Sequence, residues 1–167
     1  MKKQNQVNSQ KGKLKTIVLL AVGVFMVFML VNFLAKGTGN GEKIAVGEDL
    51  VIAKSEITEM AKFYPYQLGN TKMEVLAVKA NDGTIRTALN TCQVCYDSGR
   101  GYYIQEGNEL VCQNCGNRFQ IEQVEIIKGG CNPVPIMKEN KTEDDTNIVI
   151  SKDYLAASAE LFSNWRK

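Results

Sequence analysis

Two cysteine pairs of identical spacing, Cys92-x2-Cys95 and Cys112-x2-Cys115, separated by 16 residues, constrain this chain more than any other feature. A two-residue gap lets both sulfurs of a tight turn face one atom, with turn amides free to hydrogen-bond the thiolates. Two such knuckles at the tips of neighbouring hairpins make a closed four-sulfur cage. Four thiolates suit tetrahedral zinc, a single iron or an iron-sulfur cluster. Cys92, Cys95, Cys112 and Cys115 are therefore the candidate ligands, and their spacing does not identify the metal. Gly116, directly after Cys115, is what such a knuckle needs to turn without a Cβ clash.

The fifth cysteine, Cys131, lies in Gly129-Gly130-Cys131-Asn132-Pro133. It is a further candidate ligand, a replacement ligand, a free thiol, or an incidental residue of a packing loop. Glycines that permit close backbone approach, followed by the stiffening Pro133 and Pro135, make a loop suited to lidding a site. Tyr96, Tyr102 and Tyr103 lie near the knuckles and read as core or shielding side chains rather than electron relays.

The chain has no histidine. That excludes Ser-His and Cys-His catalysis, His-ligated haem and every His-containing zinc site. No acid-base pair or substrate pocket is legible, which points to an accessory rather than a stand-alone enzyme.

Ile17 to Leu34 is an 18-residue run without a charge. At ~1.5 Å per residue it reaches about 27 Å, close to the ~30 Å hydrocarbon core of a bilayer. A cleaved signal peptide has a shorter apolar run ending in small residues. Phe33-Leu34-Ala35 is a poor cleavage site, and no cysteine near the run suggests a lipoprotein. Lys2, Lys3, Lys11, Lys13 and Lys15 precede the run with no acid among them. The positive-inside rule then places residues 1–16 in the cytoplasm, a single anchor at 17–35, a Gly-rich linker at 36–44 and the domain 45–167 outside the cell membrane. Beyond the five lysines the chain carries 15 basic and 18 acidic residues, a net of −3. That balance gives no footprint for nucleic acid.

The outer domain reads as mainly β. Leu50–Ala53 is a short strand, followed by a helical turn or loop over Ser55–Met60. Phe63–Leu68 is aromatic-rich, and Pro65 marks it as an edge strand. Lys72–Ala80 alternates, with Met73, Val75 and Ala77 on one side, and Asn81-Asp82-Gly83 turns it into a strand at Thr84–Asn90. A second hairpin joins Gly101–Gln105 to Glu109–Cys112. Arg118–Ile127 supplies one or two strands, Glu139–Thr146 is a polar loop, and Asn147–Ile150 is the last strand. Ser151 then caps a helix whose Tyr154, Leu155, Ser158, Leu161, Phe162 and Trp165 share one face, expected to pack on the domain.

With these residues in view, the sequence resembles the FtrD-like family of membrane iron-sulfur-containing proteins. The carrying stretch runs from Asp82-Gly83-Thr84-Ile85-Arg86-Thr87-Ala88 through the first cysteine pair, Gly101-Tyr102, Gln105-Glu106-Gly107 and Cys112-Gln113-Asn114-Cys115-Gly116. It continues to Phe119 and Gly129-Gly130-Cys131-Asn132-Pro133. The resemblance spans roughly residues 45–162. It implies an iron-sulfur or iron cofactor in an extracytoplasmic domain linked with ferrous-iron uptake, beside a membrane permease and iron-binding partner proteins. Some members carry several membrane helices ahead of this domain, whereas one is legible here.

The layout also resembles a Rieske domain, in which two hairpin loops clasp a two-iron cluster under a proline loop. A small Rieske-like or zinc-ribbon-like β domain with a C-terminal helix, behind one transmembrane helix, is the expected architecture. Each loop here offers two cysteines in place of Cys and His. Fully thiolate ligation of a cluster is expected to give a potential well below a Rieske value, because two more negative ligands stabilise the oxidised form.

Three functions follow. The first is electron transfer or iron handling at the outer membrane surface. The second is a non-redox binding or scaffold domain with zinc as a staple. The third is thiol-disulfide chemistry, open to an extracytoplasmic domain, although a thioredoxin-like βαβ setting for a reactive pair is absent.

Overall fold

A computed structural model describes residues 44–167. The basic tail, the anchor expected at 17–35 and nearly all of the linker lie outside the described residues. Among the described residues no helix is long and apolar enough to cross a membrane.

A central five-stranded sheet runs in the order β1-β3-β4-β5-β9, where β1 is Ala45–Val46, β3 Lys62–Leu68, β4 Thr71–Lys79, β5 Ile85–Cys92 and β9 Pro133–Pro135. One three-stranded sheet comprises β10 (Lys141–Glu143), β11 (Asn147–Ile150) and β2 (Leu50–Ala53). Another comprises β6 (Tyr103–Glu106), β7 (Glu109–Cys112) and β8 (Arg118–Gln120).

Strand β4 shows why the domain has two cores. Side chains alternate across a strand, and both of its faces are apolar. Met73, Val75 and Ala77 enter one core with Ile52, Ile148 and Ile150 of the β10-β11-β2 sheet and Leu155 and Phe162 of the C-terminal segment. Leu76, Val78 and Ala80 enter the other with Tyr103, Leu110 and Phe119 of the β6-β7-β8 sheet. Each fully buried Leu or Ile contributes about 1.5–3 kcal/mol of transfer free energy. Cys92 and Cys112 belong to the second core, so the sulfur site is built onto packed hydrophobic layers.

The mainly β architecture and the C-terminal helix agree with the sequence. The helix is short, Lys152–Ala157, and continues as a 3-10 turn over Ala159–Phe162. Ser151 caps it, its hydroxyl accepting from Tyr154 N at 3.2 Å. The segment packs on the domain, with Trp165 Nε1 donating to Asn90 O at 2.9 Å and Arg166 N to Gly99 O at 2.8 Å.

Three strand assignments differ from the sequence reading. Strand β3 lies between β1 and β4, yet β1 pairs only with Tyr66 and Gln67. Pro65 therefore occupies a stretch with a neighbour on one side only, which is the tolerance that proline needs. The polar stretch 139–146 contains β10, because Lys141 is buried and Lys141, Thr142 and Glu143 pair with β11. Pro133-Val134-Pro135 forms strand β9 on the edge of the central sheet.

Candidate metal centre

Strand ends bring the cysteines together. Cys92 is the last residue of β5 and Cys112 the last of β7. Each knuckle therefore leaves a strand whose course the core has already fixed. β9 runs antiparallel to β5 with Cys92 opposite Pro133, after an irregularity between Leu89 and Cys92. That register places Cys131, two residues ahead of Pro133, beside the first knuckle.

The sulfurs of Cys92, Cys95, Cys112 and Cys131 all lie within 4.8 Å of one another. Cys131 Sγ is 3.3 Å from Cys92 Sγ and 3.8 Å from Cys95 Sγ. Cys115 Sγ is 2.9 Å from Cys131 Sγ. Cys92 and Cys112 are buried, Cys95 and Cys131 half-buried, and Cys115 is exposed. All five are free thiols.

A net of hydrogen bonds fixes this arrangement. In the first knuckle Cys95 N and Val94 N donate to Cys92 Sγ at 3.2 and 3.5 Å. In the second, Gly116 N donates to Cys112 O and Cys112 N to Asn117 O. Gly116 has φ +74 and nothing within 4 Å of a would-be Cβ, so the backbone angle rather than crowding calls for glycine. The same holds for Gly129 and Gly130, at φ +84 and +80 with open space around them. The Cys131 loop is tied to both knuckles. Asn117 Nδ2 donates to Cys131 O at 2.8 Å. Gly129 N donates to Gln93 Oε1 at 3.0 Å, and Gln93 N donates to Asn132 O at 3.0 Å.

Tyr103 stands opposite Cys112 in the β6-β7 ladder and is fully buried. Its hydroxyl lies 3.9 Å from Cys131 Sγ. Asn90 holds the Tyr103 backbone in place: Tyr103 N donates to Asn90 Oδ1 at 2.7 Å, and Asn90 Nδ2 donates to Tyr103 O at 3.3 Å. The central sheet and the site-bearing sheet are thereby locked at the cage.

The thiols divide electrostatically. Burial alone would raise Cys92, but hydrogen bonds from Tyr103 and the amides of Cys95 and Val94 hold it below the ordinary cysteine value. Burial pushes Cys95 up to about 11 and also raises Cys112 and Cys131. The Cys131 contact, aided by a backbone amide, brings Cys115 down to about 7. Burial beside the thiols keeps the Tyr103 hydroxyl protonated, as a donor. Such a cluster of thiols sheds protons when a cation arrives.

A tetrahedral site with metal–sulfur bonds of about 2.3 Å has sulfurs about 3.8 Å apart. The separations of 3.3 and 3.8 Å, in a group that spans up to 4.8 Å, leave room for one thiophilic ion, and the all-sulfur donor set suits iron, iron-sulfur chemistry or zinc.

Sequence reading named all five cysteines. The structure brings four of their sulfurs to one point, Cys131 among them, and leaves Cys115 at its solvent side. Tyr103, read from the sequence as a core or shielding side chain, is buried in the core beside the cluster; the sequence reading missed the roles of Asn90, Gln93 and Asn117, which depend on strand pairing and loop closure that no local pattern announces.

The family model described as Membrane iron-sulfur containing protein FtrD-like matches residues 48–162. No curated protein and no solved structure matches the chain.

Proposed function

The chain belongs to the FtrD-like family of membrane iron-sulfur containing proteins, and from that membership we propose that it is an accessory of ferrous-iron uptake, handling iron or electrons at the outer face of the cell membrane. One observation carries the reading: thiols from three separate segments converge within 4.8 Å. Four of the five sulfurs would hold the ion, and iron bound there would supply a one-electron couple. The rest of the chain's contribution is positional. The strand ends fix the sulfurs, the Gln93 and Asn117 contacts close the Cys131 loop, and the Tyr103 hydroxyl donates toward the thiolates.

The run at 17–35 anchors the chain, with residues 1–16 in the cytoplasm and the domain 45–167 outside. Confinement to the membrane raises the effective concentration near a permease or an iron-binding partner without new contacts.

A second reading, zinc as a structural staple, is favoured by the single-ion spacing of the sulfurs. Two hydrophobic cores already organise the domain, so a staple is not demanded by its size.

Purification of the full chain without oxygen, with an absorption spectrum and analysis of iron, zinc and acid-labile sulfide, tests the proposal. Visible absorption with bound iron supports it, and labile sulfide distinguishes a cluster from a single iron. Colourless protein with one zinc overturns it in favour of the staple. Metal-free protein with oxidised cysteines overturns both in favour of thiol-disulfide chemistry.

A further inference from the structure

Five sulfurs meet where a tetrahedral ion uses four, and they are not equivalent. Cys131 touches three of the others, at 3.3 Å to Cys92, 3.8 Å to Cys95 and 2.9 Å to Cys115. Its carbonyl is clamped by Asn117 and its loop by Gln93, so it is a fixed member of the cluster. Cys115 is not among the four mutually close sulfurs; it is exposed, lies 2.9 Å from Cys131 and also borders Cys112 and Cys95.

We propose that Cys92, Cys95, Cys112 and Cys131 form the resting ligand set, and that Cys115 is an exchange thiol through which a thiophilic divalent cation enters and leaves. The inference rests on the metal-site reading above and gives that site a cargo, ferrous iron in the first place. A closed four-thiolate site is saturated and releases its ion slowly unless a fifth ligand can enter its coordination sphere. Cys115 is the one exposed cysteine of the five, and it lies against members of the set. On loading, the Cys115 sulfur binds the incoming ion first, displacing a water from it and releasing the thiol proton to solvent, and Cys92, Cys95 and Cys112 then bind in the same way. On handover to the set, a Cys131 sulfur–metal bond forms as the Cys115 sulfur–metal bond breaks. The proton released by the Cys131 thiol passes to the Cys115 thiolate, and no electron changes hands. Unloading is the reverse.

The test uses the full chain without oxygen, loaded with Co2+, whose thiolate charge-transfer absorption scales with the number of bound sulfurs. Replacement by added Zn2+ is followed as loss of that band. Cys115→Ser is expected to keep the wild-type band intensity and one cobalt per chain, while replacement slows by about tenfold, the effect of about 1.4 kcal/mol on the exchange barrier. The Cys115→Ser/Cys131→Ser double variant is expected to show one thiolate fewer. Replacement at the wild-type rate in Cys115→Ser overturns the exchange role. A lost thiolate in Cys115→Ser, with none lost in Cys131→Ser, overturns the ligand set. A wild-type chain with no thiolate-bound cobalt at all overturns the metal-site reading itself, and this inference with it.

Discussion

Cys92 Sγ lies 3.3 Å from Cys131 Sγ although 39 residues separate them in the chain. The contact follows from the pairing of Cys92 with Pro133 across β5 and β9. Strand register, a property of the whole central sheet, is thus what sets the geometry of the sulfur cluster. A slip of one residue would turn Cys131 to the opposite face and take its sulfur out of the group.

Cys92→Ser tests the centre directly. Cys92 is fully buried, receives two backbone amides and touches Cys131. Its loss removes a ligand and leaves those donors aimed at a weaker partner. Cobalt affinity is expected to fall by about two orders of magnitude or more, since even residues that only orient ligands cost 10–100-fold. Titration of Co2+ against a chelator of known affinity measures this. Because metal binding is coupled to folding, the thermal midpoint of the loaded protein is expected to fall as well. Wild-type affinity would show that Cys92 is no ligand.

Tyr103→Phe keeps the buried ring and removes only the hydroxyl. That hydroxyl lies 3.9 Å from Cys131 Sγ and helps to hold the Cys92 thiol below its ordinary value. A donor to a ligand sulfur stabilises the more negatively charged, reduced form of an iron centre. Its removal is expected to lower the midpoint potential by some tens of millivolts, with a stability cost of about 1 kcal/mol. A redox titration followed by EPR reads the shift. An unchanged or raised potential would show that the hydroxyl does not act on the thiolates.

Local periodicity made the core strands legible. β4 announced itself through Met73, Val75 and Ala77, the Asn81-Asp82-Gly83 turn fixed its hairpin with β5, and Asn147–Ile150 was readable as β-branched and apolar. β9 and β10 were hidden for opposite reasons. Pro133 and Pro135 look like loop residues, and only an edge position beside β5 makes them a strand. Lys141 looks like a surface residue, and its burial is explained by partners that include Glu125 and Thr87, both distant in the chain. The knuckles were readable from spacing. The division between Cys131 and Cys115 was not, because it depends on which loop closes over the cage.

Lys141→Met isolates that buried pair. Lys141 Nζ lies 2.7 Å from Glu125 Oε1, with side-chain exposures of 2% and 11%. Glu125 also accepts from Thr87 N at 2.6 Å and Thr87 Oγ1 at 2.7 Å. It is the one non-glycine residue with positive φ among the described residues, at 65°. These contacts hold a strained turn on the segment leading to Cys131. Removing the lysine leaves a carboxylate buried without its counter-ion, which is expected to cost about 3–5 kcal/mol. The Lys141→Met/Glu125→Leu double variant is expected to recover part of the loss. Urea unfolding of the wild type and both variants gives the values. A cost below about 1 kcal/mol for the single variant would place the pair among weakly contributing ion pairs.

Asp144→Asn tests the acid limit of the fold. Asp144 Oδ1 accepts from Thr146 N at 2.7 Å, Thr146 Oγ1 at 2.8 Å and Asn147 N at 2.7 Å, closing the turn between β10 and β11. The Thr146 amide, followed by its hydroxyl and the Asn147 amide, holds the carboxyl below its ordinary value of 3.8. A folded value below the unfolded one means that the unfolded chain binds the proton more tightly. The charge therefore stabilises the fold above the unfolded value, and this contribution is lost as pH falls through the folded value. Asparagine keeps an acceptor oxygen without the charge. The difference in urea midpoint between wild type and variant is thus expected to favour the wild type at neutral pH, to narrow below about pH 4 and to vanish at lower pH. Metal loss in acid affects both proteins alike and cancels in the comparison. A difference independent of pH would mean that the charge on Asp144 contributes nothing beyond the geometry of its hydrogen bonds.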